Sequence, residues 1–463
     1  VATSLPVIVA EFNAIQNISW IIAGYSLATA IAMPIYGRLV DKFGSAKMFL
    51  FAIVVFLVAS TLCGFSQSIF MLSASRVLQG FGAAGLSLLP ITIISGLIPE
   101  RSRPKYIVPM VSVWSIASVA GPVLGGLLTV TAGWRWIFWI NLPLGLLAIL
   151  LAVPALPRQY KLREGKPFGI STLVFFIFAA SSLVFALHSI TEGFTGDMTA
   201  TYSLSALAVV MIALFIWRTI KSDNPLIPIK AMNNRGTITV LILGTIGGAA
   251  VFPLTGFIPT LLQMAYAVPN WLAGLSLVPL VAGVLSANIF SSRRLAKTGN
   301  YSNFYLVGSA TAALSMFVMY FFSQQLGAPL IAIGLGFTGF GFGLFGQFTV
   351  TLAQSFSESK FLGSVTSTVM VSRDISGSVV ATIAGGLFGF GVSQALVSVN
   401  LPAGLRGISL QPADLVGLSP GLQAQVQQVY FDAFHATFLN SAVAYVLVFA
   451  LALTLPKRDL KAK

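Results

Sequence analysis

The sequence predicts an all-α protein that crosses a membrane many times, and three observations carry that prediction. Of the 463 residues, 56% are hydrophobic and only 8% are charged, against about 25% charged in soluble domains. Apolar runs of roughly 20 residues, each enough to cross a ~30 Å hydrocarbon core, recur along the whole chain. The runs are continuous and lack the period-2 alternation of a membrane barrel. In lipid every backbone polar group must pair internally, so such runs must be helices.

The first apolar run ends near Ala10, and the chain starts at Val1 without a methionine. That predicts a first span of which half lies upstream. Ser19 to Tyr36, Lys47 to Phe65, Ile69 to Ile98, Tyr106 to Ala132 and Trp134 to Val153 follow as spans two to six. Phe168 to Ser189 and Tyr202 to Ile220 make a central pair. Thr237 to Met264, Trp271 to Ser291, Asn303 to Phe322, Pro329 to Phe356, Leu362 to Val392 and Ala436 to Leu455 complete fourteen. This divides the chain into a six-helix bundle over 1–153, a linker with two additional helices over 154–236, and a second six-helix bundle over 237–463. The long loop 393–435 belongs to the second bundle. Within it, Leu422, Val426, Val429, Ala433 and Phe438 fall near helical spacing, which reads as an amphipathic helix lying on the membrane surface, or else as a disordered connector.

Lys and Arg crowd into alternate loops, which sets the orientation. Of the 26 such residues, all but Arg76, Arg135, Arg373 and Arg406 fall on one side. Both chain termini are therefore expected on the cytoplasmic side of the cell membrane. The net charge of +14 is dispersed through these loops and not gathered on one surface, which argues against nucleic acid as a partner. The single cysteine, Cys63, excludes a disulfide framework or a cysteine metal site. No loop gathers a metal-ligand or hydrolase constellation or a nucleotide-binding motif. No filter-like or ring-forming charged segment suggests a channel.

One link between spans is unusually rich in charge. Gly37 to Lys47, GRLVDKFGSAK, holds Arg38, Asp41, Lys42 and Lys47 between two glycines and reads as a tight, specific turn. RRLAKTG, Arg293 to Gly299, echoes it at the corresponding place in the second half, without the aspartate. Related halves are how many transporters build a midplane site.

These residues and four further motifs resemble the major facilitator superfamily, in its fourteen-helix drug:proton antiporter branch. Gly37, Leu39, Asp41, Lys42 and Gly44 match the family's turn after helix two, although Ser45 and Ala46 replace its usual basic pair. Leu72, Arg76, Gln79, Gly80, Gly82, Ala83 and Ala84 resemble the helix-four motif. Gly121, Pro122, Gly125 and Gly126 resemble the antiporter motif of helix five. Trp134 to Gly145 and Ala273 to Gly283 are similar to two further signatures of the branch. VATSLP, Val1 to Pro6, is similar to the end of its first-helix motif, whose acidic residue would lie upstream.

The resemblance implies the major facilitator fold and a proton-coupled exporter of amphipathic or cationic drugs, working by alternating access. The proton is then the coupling ion, with no cofactor and no metal. Partners are small amphipathic molecules or lipid, and the protein is expected to be a monomer. An exporter of lipid or of a native amphipathic metabolite is the alternative.

Arg76 sits roughly 10 Å deep in helix four at 1.5 Å per residue. A buried arginine there costs at least ~2.5 kcal/mol and is usually functional or paired. The resemblance implies that it tunes a nearby carboxyl in proton transfer. The bland reading is a structural pin to carbonyls or to Gln79. Asp374 is the carboxyl deepest in a helix and the candidate protonatable site, since burial can raise its titration toward neutrality. The rival is a structural ion pair with Arg373 or Arg76. Neighbours on a helix point about 100° apart, so Arg373 and Asp374 need not pair.

Asp41, at the membrane edge, is expected to stay ionised and to cap a helix N-terminus or pair with Arg101 or Arg103. With Gly37, Lys42 and Gly44 these form a candidate cytoplasmic gate. The alternative is a mere topology signal. Gly121 and Gly125 on one face, with Pro122 between, suggest close helix approach and a kink at a rocking interface. Gln79, Asn141, Gln263, Asn288, Gln347 and Gln354 offer polar groups for a substrate pathway, with Trp20, Tyr25, Trp114, Phe252 and Phe257 as aromatic faces. Glu11 is expected to face outward and be solvated.

Overall fold

The computed structural model describes residues 4–12, 18–100, 102–156, 169–193, 198–346, 348–358, 361–399, 401–402, 410, 415 and 417–456. Within them every long apolar run is helical. In chain order the helices are α1 (Leu5–Phe12), α2 (Ile18–Phe43), α3 (Ser45–Gly64), α4 (Ile69–Leu97), α5 (Arg103–Thr131), α6 (Trp136–Trp139) and α7 (Asn141–Ala155). Then come α8 (Ile170–Gly193), α9 (Met198–Lys221), α10 (Ile229–Met232), α11 (Arg235–Tyr266), α12 (Asn270–Leu275) and α13 (Leu277–Thr298). The last are α14 (Ser302–Gly346), α15 (Phe348–Ser355), α16 (Leu362–Val397) and α17 (Pro420–Ala452). Among the described residues, eleven helices are long and apolar enough to cross a membrane.

Local chemistry sets many of the ends. Ser68 caps α4 by accepting from the Met71 N–H, and Asn234 caps α11 by accepting from the Thr237 N–H at 2.8 Å. A cap of this kind is worth about 1 kcal/mol. The tight turn expected over Gly37 to Lys47 is tighter than its charged stretch. Residues 37–43 continue α2, and the whole turn is made at Gly44, whose φ of +87° only glycine adopts without strain.

The expected surface helix is not found. The apolar positions of 420–438 do not lie on a membrane surface but begin the same continuous helix that forms the last span. Val426, Phe431 and Phe434 are buried against the protein. Phe434 meets Phe388 at 4.6 Å and Phe431 meets Tyr266 at 4.9 Å. Burying each such ring is worth roughly 1.5–3 kcal/mol, so the stripe that mimics a surface helix is a packing stripe.

Helices α2, α3, α4 and α7 pack on one another, and α11, α13, α14, α16 and α17 do likewise. The α8–α9 hairpin lies beside both groups, with α8 touching α2 and α16. The buried face of α8, Thr172, Phe176, Ala179, Ala180 and Ala186, runs most of its length. The end where α2 meets α3 and α13 meets α14, dense in Lys and Arg, is called here the basic end.

Candidate functional site

The two groups touch at the basic end, where α2 crosses α16. A side chain at Gly37 would collide with Ser367, and one at Gly363 with the Gly37 carbonyl, so this crossing requires glycine on both helices. Next to it, Asp41 reaches across. Its Oδ1 accepts from the Gly363 N–H at 3.0 Å, and its Oδ2 accepts from the Ser364 N–H at 3.2 Å and from the Ser364 hydroxyl. Those N–H groups belong to the first turn of α16, which has no intrahelical partners to offer them. The carboxylate therefore caps, from the other group, a helix whose own N-cap position is Phe361.

Arg103 does not pair with Asp41. It donates to the Ser95 and Ile98 carbonyls and to Gln354 Oε1, and Gln354 in turn donates to Thr366 on α16. Arg38, which sequence reasoning used only for topology, donates to the Pro225 and Leu226 carbonyls and lies over the Phe361 ring. Lys42 lies over its neighbour Phe43 and makes no contact described across the seam. Arg101 lies outside the described residues.

Asp41 is not the permanently ionised group expected from its place at the membrane edge. Burial lifts its titration to about 6, against the opposing pull of the Ser364 and Gly363 hydrogen bonds. The sign follows. An acid whose value rises on burial binds protons better in the joined state than in an opened one, where it returns to the ordinary range near 3.8. Acidification from pH 7 through 6 should therefore favour the joined basic end, with the gain complete below the ordinary carboxylate range. Labelling of a Ser367→Cys reporter by a maleimide applied at that end should slow as pH falls from 7 to 5, and Asp41→Ala should remove that dependence.

Inside the first group, Arg76 is 9% exposed. Its Nη1 donates to Gln79 Oε1 at 2.6 Å, and Gln79 Nε2 donates to Ser60 Oγ at 2.7 Å. Asn141 donates to the same Ser60 hydroxyl at 3.3 Å. The guanidinium stacks on Tyr25 at 4.0 Å, and its Nε has no hydrogen-bond partner. No carboxylate contacts it among the described residues. Gln79 and Asn141, expected along a substrate path, are thus tied into this buried network.

Arg373 and Asp374 do pair, with Arg373 Nε at 3.1 Å from Asp374 Oδ1 and the side chains 35% and 37% exposed. The flexible arginine stem closes the gap that helical geometry leaves between neighbours. Its Cγ lies against Gly248 of α11, where a Cβ would be 2.6 Å away, so the arginine stem needs glycine at that position. Gly363, Ser367, Asp374 and Ser378 repeat at helical intervals and form one stripe of α16. Gly363 and Ser367 are buried against α2, Asp374 is half-exposed and Ser378 exposed. On α2, Gly37, Met33, Ala30 and Ser26 form the facing stripe and pass from buried to exposed in the same direction. Exposure along both stripes thus rises away from the basic end.

The remaining candidates scatter. Gln263 lines a cavity of about 230 Å³ with Thr260, Met264, Phe388 and Tyr430. Asn288 is buried in α13 with its Oδ1 unpartnered, and Gln354 is buried in the Arg103 bridge. Gln347 lies outside the described residues, and of Trp114 and Pro122 only the helical backbone is described. The close approach expected at Gly121 is not seen. Positions 121 and 126 adjoin open space, while Gly125 is buried. Glu11 is exposed as expected and also pairs with Arg135 at 2.7 Å and accepts from Trp134 Nε1 at 2.6 Å, and the Arg135 bond holds its carboxyl below the usual range. Among the described residues no cluster of His, Cys, Asp and Glu could hold a metal ion.

Comparison with known proteins places this architecture. The family model of the Major Facilitator Superfamily matches residues 1–382. Multidrug resistance protein 3 of Bacillus subtilis (strain 168) is 30% identical over 407 residues, covering 86% of this chain and 77% of that protein. An uncharacterised MFS-type transporter of Mycobacterium tuberculosis (strain ATCC 25618 / H37Rv) is 29% identical over 98% of this chain, which spans 66% of that relative's length. Among solved structures, the proton:xylose symporter XylE superposes with a TM-score of 0.60 at 13% identity, covering 99% of this chain and 92% of that one. Helices, seam and sequence agree: this chain belongs to the Major Facilitator Superfamily.

Proposed function

We propose that the protein is a proton-coupled exporter of small amphipathic molecules, cationic drugs among them, working by alternating access in the cytoplasmic membrane with both termini inside. The basic end then faces the cytoplasm, and the chain divides at 1–153, 154–236 and 237–463. The observation that carries the reading is the seam itself. Two helix groups are latched at one end by Asp41 on the first turn of α16, and their facing stripes grow more exposed toward the other end. Such a two-state contact is what a rocking transporter needs. Relatives whose names are "Multidrug resistance protein 3", "Multidrug transporter protein MdtP" and "Efflux pump aflT" support the direction of transport.

Coupling needs a carboxyl that alternates between access states. Asp374 is the deep candidate, half-exposed on the α16 stripe. Proton entry from outside would neutralise it as substrate leaves, while Arg76 supplies fixed positive charge in the neighbouring helices. In proteoliposomes with an imposed pH gradient, Asp374→Asn should lower proton-driven efflux by about tenfold or more, because the carboxyl deepest in the spans among the described residues is gone. Downhill exchange should persist. Full gradient-driven efflux by that variant would remove Asp374 from the coupling path. Dye-labelled lipid in the same assay separates drug export from lipid export.

A further inference from the structure

Among the described residues, three side chains charged at neutral pH lie deep in the spans: Arg76, Arg373 and Asp374. Arg76 is turned into its own group, stacked on Tyr25 and bonded to Gln79. Among the described residues, the charges near the α2–α16 seam deep in the spans are then one guanidinium and one carboxylate in contact, both half-exposed. Their formal charges cancel.

That balance decides what such a site favours. A ligand carrying only a cation would gain Asp374 but meet Arg373 beside it, and attraction and repulsion would nearly offset. A ligand carrying only an anion meets the converse. The pair uses one arginine donor, Nε, and one carboxylate oxygen, Oδ1. The Nη donors and Oδ2 stand outside that bond on half-exposed side chains. A guanidinium binds carboxylate through paired N–H donors, and a carboxylate binds ammonium by a charge-assisted hydrogen bond. The wall next to the pair is aromatic. Phe252 packs on Gly377, one turn along α16, with its ring 37% exposed, and Phe257 lies against Gly385 and Phe388.

We propose that Arg373 and Asp374 together form a recognition site for zwitterionic amphipaths, meaning flat apolar molecules that carry one amine and one carboxylate. The carboxylate would sit on the Arg373 Nη groups, the ammonium on Asp374 Oδ2, and the apolar body against Phe252. This rests on the export reading and narrows its substrate class.

The test is binding to the purified protein of four compounds built on one aryl scaffold. These are the amino acid form, its methyl ester (cation only), its N-acetyl form (anion only) and the doubly blocked neutral form. The zwitterion should bind about tenfold or more tighter than either singly charged form. Arg373→Gln should invert the order in favour of the ester, and Asp374→Asn in favour of the N-acetyl form. Binding of the neutral form should stay within about threefold throughout, which reports that the variants are folded. Equal or tighter binding of the ester by the unmodified protein would overturn the proposal without recourse to any variant. So would parallel weakening of all four compounds in both variants. Efflux of the same compounds from proteoliposomes keeps the two readings apart. Charge-selective binding without pH-driven efflux defeats the export reading alone, and efflux without charge selectivity defeats the zwitterion site alone.

Discussion

Replacing Gly37 with valine is expected to hold the basic end open and to stop transport. A Cβ at position 37 would lie 2.9 Å from both the Ser367 Cβ and the Gly363 carbonyl oxygen. The carbonyl belongs to α16 backbone and cannot rotate away, so the helices must part. Overpacking of this kind costs typically 1–3 kcal/mol, which moves a two-state population by roughly five- to a hundredfold. Parting the helices also pulls the Gly363 and Ser364 N–H groups from Asp41, and each charge-assisted bond contributes about 1.5–3 kcal/mol. A Ser367→Cys reporter should then react with maleimide applied at the basic end, while Cys63, buried in the first group, stays unreactive. Efflux should fall by about two orders of magnitude. Unchanged labelling of position 367 would show that the crossing does not gate access.

Arg76→Met is expected to abolish transport while leaving the protein as stable or more so. A structural pin predicts the opposite. Arg76 is buried with an unpartnered Nε and no described carboxylate beside it. An arginine at this depth costs at least ~2.5 kcal/mol, and exchanging a buried charge for an apolar chain of like volume is often neutral or stabilising by about 1–4 kcal/mol. Gln79 would keep its bond to Ser60. A melting curve on the detergent-solubilised protein measures the first half of the expectation and proteoliposome efflux the second. A clear drop in melting temperature would make Arg76 a strut and leave the proton path without it.

The spans were legible because lipid allows one solution. A long apolar run must satisfy its own backbone, and no distant residue can overrule that. The boundaries that failed are those where water, not lipid, is the neighbour. Residues 37–43 carry charges that suit a loop as well as a helix end, and only the φ of Gly44 distinguishes the two. Residues 420–438 show an apolar stripe whose partners, Tyr266 and Phe388, come from other helices. At the site, Asp41 was legible as a helix cap, but the helix it caps begins at Leu362, far along the chain. Nothing local marks Ser364 as its partner. Nor does adjacency in sequence reveal that Gly248 leaves room for the Arg373 stem. Arg38 was missed outright, since its acceptors are backbone carbonyls and leave no trace in side-chain pattern.

That arginine bears on how the chain could ever be shortened. Arg38 holds the stretch that follows α9, where Leu226 is 1% exposed and its N–H is received by Thr172 at the start of α8. The α8–α9 hairpin is therefore not luggage hung on the two helix groups. Excising 154–236 and splicing the ends would leave a guanidinium facing empty acceptor positions beside Phe361, and would bare the flanks of α2 and α16 that α8 now covers. A lineage or an engineer removing the α8–α9 hairpin would have to rewrite position 38 and both flanks in the same step. A deletion lacking those changes should fail to accumulate in the membrane.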